Sequence, residues 1–218
     1  MSEDNPIVPR KGGELTKIGP KGNPILDTMV RDALQLAKEN SALSEGVEVQ
    51  FKCKNLEKAV RDALGMPEGT ITRKDMLRLE KLTRRIQQVT YVSGLEHAQN
   101  LRRLDLNFNQ IGDISPLREM TQLQWLCLGG NQIKDISPLR KLTELKYLFL
   151  QGNQIEDISP LREMTQLEML FLWGNQIKDI ASLRKLTQLK SVRLSENPLT
   201  KEQIADLKEA LPECRIIF

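Results

Sequence analysis

Histidine occurs once in the 218 residues and cysteine three times. His97 is therefore the one imidazole available as a general base, and no nucleophile pattern surrounds it. Cys53, Cys127 and Cys214 are odd in number and widely spaced. They give neither a disulfide framework nor a zinc-ligand spacing, and they read as reduced thiols. Charge of one sign is lacking too. Residues 1–100 carry 16 Lys+Arg and 14 Asp+Glu, the remainder 16 and 15, for a net charge of +3. A strong nucleic-acid footprint is more lopsided than this, so no nucleic-acid partner is expected. No apolar run approaches the roughly 18 residues that span a bilayer, so membrane insertion is not expected either. There is no phosphate-cradling glycine loop and no clustered ligand set, which leaves no cofactor or metal to expect and no enzymatic site. The opening MSEDNPIVPRKGG has no apolar stretch of a secretory signal. A cytoplasmic protein is the expectation, with export by a route not visible in the sequence as the alternative.

What the chain does have is a period of 22 residues. Leu101, Leu123, Leu145, Leu167 and Leu189 begin equivalent segments. Leu104, Leu126, Leu148, Leu170 and Val192 follow three residues on. Leu106, Leu128, Leu150, Leu172 and Leu194 come next, and then Asn109, Asn131, Asn153, Asn175 and Asn197. Each unit reads L-x-x-L-x-L-x-x-N-x-[IL], and the second half of a full unit reads like Asp113-Ile-Ser-Pro-Leu117. Arg-Glu-Met-Thr at 118–121 and 162–165 alternates with Arg-Lys-Leu-Thr at 140–143 and 184–187, a superperiod of 44. One unit cannot bury its apolar face alone, but stacked units share a continuous core.

These segments resemble leucine-rich repeats of the 22-residue type, found in bacterial internalin-like proteins and in intracellular phosphatase regulators. The resemblance implies an α/β solenoid, a right-handed superhelix whose L-x-L strands form a parallel concave sheet. It also implies an Asn ladder bonding backbone groups of neighbouring turns. The stretch before the repeats resembles a helical N-terminal cap: an amphipathic helix over Asn55–Leu64 closed by Gly65, then a helix start at Thr72 with Asp75 three residues on. Residues 79–100 are a degenerate repeat with Arg84 at a core leucine position. The end resembles a helix-strand C-terminal cap, with Thr200 and Gln203 as a capping box and a closing strand over Arg215–Phe218. The organisation expected is a flexible tail at 1–23, an N-terminal cap and degenerate repeat at 24–100, five repeats at 101–200 and the C-terminal cap at 201–218. Val30–Leu34 repeats Val60–Leu64, so an extra helix is expected near 25–39.

Alternate residues of a strand face opposite sides. With the leucine pair inward, three columns face outward. They are Arg103, Trp125, Tyr147, Met169 and Ser191; then Asp105, Cys127, Phe149, Phe171 and Arg193; then Asn107, Gly129, Gln151, Trp173 and Ser195. Five of nine aromatics lie here, on strands ~4.8 Å apart. Free rings of this size offer on the order of 10³ Å² of contact, more than a monomer commonly exposes. The candidate site is therefore a protein- or peptide-binding concave face, with Trp125, Tyr147, Phe149, Phe171 and Trp173 as anchors. Met169 supplies adaptable contact, and Arg103, Asp105, Lys190 and Arg193 set orientation and on-rate. The competing readings are mutual packing of the rings, cover by the chain's own tail, a homodimer that buries the face, and a secreted host-directed effector or adhesin. Cys127 reads as a small spacer, and Arg118, Arg140, Arg162 and Arg184 as part of a solvated mixed-charge face. The recurring Asp113, Asp135, Asp157 and Asp179 read as turn residues.

Overall fold

Strands of three residues form a sheet here because six of them are aligned by the same 22-residue spacing, and the closing strand pairs onto the last of these. In the computed structural model, which describes residues 46–85 and 88–218 together with Arg31 and Gln35, seven strands pair in parallel in chain order. They are β1 (Lys81–Thr83), β2 (Arg103–Asp105), β3 (Trp125–Cys127), β4 (Tyr147–Phe149), β5 (Met169–Phe171), β6 (Ser191–Arg193) and β7 (Arg215–Ile217). Leu104 lies opposite Leu126, Leu126 opposite Leu148, Leu148 opposite Leu170 and Leu170 opposite Val192. A slip of one residue would turn this whole column outward, so burial pins the register.

Inside lie the leucine columns with Ile111, Ile114, Leu117, Met120 and their counterparts, all closed to solvent. Each such side chain contributes about 1.5–3 kcal/mol by leaving water. The expected Asn ladder is present. Asn153 Nδ2 donates to the carbonyls of Leu128 and Leu150, 3.0 Å each, and its Oδ1 accepts from the Ile133 amide at 3.0 Å. Asn131, Asn175 and Asn197 repeat the pattern. These bonds satisfy backbone groups that no sheet reaches. Pro116, Pro138 and Pro160 occupy the first turn of short 3-10 segments on the return side, where no amide is needed. Ser182 stands in that place in the fourth unit, and its hydroxyl donates to the Ile158 carbonyl at 3.2 Å.

The aspartate column makes the return turns. Asp113, Asp135 and Asp157 each accept the amide and hydroxyl of the serine two residues on, and Asp179 accepts the Ala181 amide. The 44-residue alternation has a physical counterpart. Residues 22 apart stack in adjacent turns, so alternating signs pair where a uniform repeat would repel. Glu119 meets Lys141 at 2.8 Å, Glu156 meets Lys178 at 3.8 Å and Glu168 meets Lys190 at 2.6 Å.

Both ends are covered. Helix α1 (Lys54–Leu64) buries Leu56, Ala59, Val60 and Leu64 and stops at Gly65, whose φ of 67° is left-handed. Arg84 holds its place beside β2 through the Asp105 carbonyl, 2.8 Å away. Its guanidinium leaves the core and pairs with Asp62 of α1. The short helix α2 (Arg73–Met76) and α3 (Lys201–Ala210) each begin with a reciprocal capping box, Thr72 with Asp75 and Thr200 with Gln203. Arg31 and Gln35 are helical. The rest of the helix expected near 25–39, and the tail at 1–23, lie outside the described residues.

Candidate functional site

The sheet brings four of the five anchor aromatics into one stack. Trp125 and Tyr147 have ring centroids 4.7 Å apart, Trp125 and Phe149 5.5 Å, and Phe149 and Phe171 4.9 Å at an interplanar angle of 84°. The strand spacing permits this, because rings on neighbouring strands stand at the separation aromatic pairs prefer. The Arg103 guanidinium lies over Trp125 at 4.2 Å, and that of Arg193 lies toward Phe171 at 5.2 Å. The result is a continuous row, arginine to arginine, across five strands.

This row is less open than the sequence led us to expect. Trp125, Tyr147, Phe149, Met169, Phe171 and Trp173 are all half-buried. The rings cover one another, so 10³ Å² of contact is an upper bound. Trp173 stands in the next column, and among the described residues no ring stacks on it.

Two of the expected charges sit differently. Asp105 is buried, 1% exposed, and takes a two-pronged contact from Arg85, at 2.8 Å to Nε and 2.5 Å to Nη2. It is not a free charge on the rim. The carboxylate in turn keeps the Arg85 guanidinium charged, raising its pKa. Arg85 stands in the degenerate repeat, 20 residues away, so the strand pattern alone did not point to the pair. Lys190 precedes β6 and pairs with Glu168, which sets it beside the row and not on it.

Cys127 is buried between Trp125 and Phe149. Burial, with Asp105 nearby, pushes its thiol up to about 11, although the Trp125 indole donates to the sulfur at 2.8 Å. A thiol held protonated at neutral pH is a poor nucleophile. His97 lies in a separate 3-10 turn, where burial lowers its pKa against the opposing pull of Glu96. Among the described residues no three His, Cys, Asp or Glu side chains gather to hold a metal, and no helix is long and apolar enough to cross a membrane.

One residue escaped the strand-column reasoning. Phe108 is 58% exposed and has a left-handed φ of 57°. The equivalent positions hold Gly130, Gly152 and Gly174, at φ of 67°, 63° and 67°, and Glu196. Left-handed backbone is an outlier for a bulky residue. The ring lies over Gly130, where an added Cβ would meet it at 2.6 Å. The signal was in the repeat alignment: an aromatic stands where three other turns place glycine.

Leucine Rich repeat models match residues 97–114, 121–163 and 165–209. Among solved structures, the chain is similar to an internalin (inlF) of Listeria monocytogenes at 30% identity and a TM-score of 0.63. That similarity covers 77% of this chain and 56% of the internalin, so the chain spans a little over half of that protein. An internalin C2 of the same organism is 29% identical with a TM-score of 0.61, over 79% of this chain and 88% of the other. A leucine-rich repeat protein of Leptospira interrogans shares the fold at 24% identity and a TM-score of 0.63, over 66% and 38%. Among curated protein sequences nothing matches. Leucine-rich repeats act in general as protein-binding scaffolds. With its repeats matched and its solenoid shared, the chain is a bacterial-type, internalin-like leucine-rich repeat protein.

Proposed function

We propose that the chain is a non-enzymatic scaffold that binds a protein or peptide on its concave face. The observation that carries this reading is the aromatic row of β3–β5, bracketed by Arg103 and Arg193 and continued by Trp173 and Met169. An apolar centre that includes tryptophan, with polar ends, is the anatomy of a binding hot spot. Phe108 extends the surface past the edge of β2. Its exposure and its strained backbone bring little within the fold, and an outlier of that kind supports a role in contact.

A pull-down from the native cell tests the reading, with wild type, Trp173→Ala and Arg118→Ala as baits. A partner lost from Trp173→Ala and kept by Arg118→Ala supports it. A partner lost from neither, or from Arg118→Ala alone, refutes it. Light scattering of the purified protein separates the self-covered alternative: a concentration-independent dimer that dissociates on Trp125→Asp and Trp173→Asp would replace the outside partner with a second copy.

A further inference from the structure

Charge on the concave face is arranged in two poles. The strand register gives one row as Lys81, Arg103, Trp125, Tyr147, Met169, Ser191 and Arg215. The next runs Thr83, Asp105, Cys127, Phe149, Phe171, Arg193 and Ile217. Basic side chains stand at both ends, all exposed: Lys81 and Arg103 at one, Arg193 and Arg215 at the other. The single acid, Asp105, is buried and neutralised by Arg85. Strands β3–β5 contribute no charge to either row.

Arg103 and Arg193 are also held ready. Each guanidinium rests against a ring, and among the described residues neither has a carboxylate partner. A stacked guanidinium keeps its N–H edge free, and that edge matches a carboxylate in two-pronged geometry. The two arginines are four strand steps apart, about 19 Å at ~4.8 Å per step. An extended chain advances ~3.3 Å per residue, so about six residues cover that distance.

Resting on the concave-face reading above, we infer that the occupant is an extended peptide segment with an apolar centre and an acidic residue at each end, the two acids about six positions apart. Its acids meet Arg103 and Arg193, and its apolar side chains lie on Tyr147, Phe149, Met169 and Trp173. A single nucleic-acid strand fits less well. It carries phosphate at every nucleotide and needs cations along its whole track, and β3–β5 offer none.

The test uses two heptapeptide libraries with five randomised apolar positions, one closed by Asp at both ends and one by Lys. The wild-type protein is expected to retain members of the Asp library and not of the Lys library. A selected Asp peptide should bind at least about tenfold more weakly to the Arg103→Gln, Arg193→Gln double variant, and more weakly in high salt. Circular dichroism confirms that the double variant is folded. Equal retention of both libraries, no retention of either, an unchanged affinity in the double variant, or equal displacement by an oligothymidine strand overturns the inference. If Trp173→Ala loses the peptide while the arginine variant keeps it, the acidic ends are refuted and the concave-face reading stands. If neither variant loses it, both fall.

Discussion

Phe108, like Glu196 at φ 58° in the last repeat, departs from the glycine of its repeat at a cost. A non-glycine residue in left-handed backbone gives up about 1–2 kcal/mol, and 58% of this side chain stays in water. Some of the cost returns where the ring covers Gly130. If the remainder is kept for contact with a partner, Phe108→Gly should weaken partner binding and leave the thermal midpoint unchanged or higher. A variant that binds normally and melts lower would show that Phe108 serves the fold. Cys127 gives a second residue-scale expectation. Its thiol is raised from 9.0 to about 11, so the folded state holds its proton more tightly than the unfolded state does. That contribution is complete below about pH 9 and is lost as pH rises through 11. The stability difference between wild type and Cys127→Ala should therefore shrink across that window. Iodoacetamide at pH 8 should leave Cys127 unmodified in the folded protein and alkylate it in urea, as read by mass spectrometry. Rapid alkylation of the folded state would contradict the assignment.

At the scale of the element, the repeat is a strand, a turn held by aspartate, and an asparagine that joins it to its neighbours. Asn153 links three backbone groups, the Leu128 and Leu150 carbonyls and the Ile133 amide. Replacing it with leucine leaves all three without partners in a closed interior, at roughly 1–3 kcal/mol for each group that cannot find water. We expect Asn153→Leu to cost about 3 kcal/mol or more in urea unfolding. A loss under about 0.5 kcal/mol would mean that the ladder is incidental. These elements were the legible part of the sequence. The leucine columns, the asparagine ladder and the capping boxes at Thr72 and Thr200 each follow from one residue type at a fixed offset, and local chemistry decides them. The stacked rings were not legible in the same way. Their columns could be read from the period of two, but their half-burial depends on side-chain rotamers across strands. The pairing of Asp105 with Arg85 was hidden because Arg85 follows a strand whose repeat has decayed. The cross-repeat pair of Glu119 and Lys141 was latent in the 44-residue alternation, and stacking of the turns explains it.

At the scale of the molecule, the solenoid turns a row of short strands into one long face. No single repeat holds a site. Trp125, Phe149 and Phe171 come from three different turns and meet because the turns stack in register. The inward columns keep one residue type from turn to turn while the outward ones vary, so most outward positions can change without disturbing the core. The convex side differs in kind: it carries charges of both signs, and Glu119 with Lys141 and Glu156 with Lys178 pair across repeats. The most direct measurement is calorimetric titration of the captured partner into wild type, Trp173→Ala, Phe149→Ala and Arg118→Ala. The concave-face account predicts at least a tenfold loss of affinity for the first two variants, about 1.4 kcal/mol or more, and wild-type affinity for Arg118→Ala. Equal affinities for all three variants would contradict it.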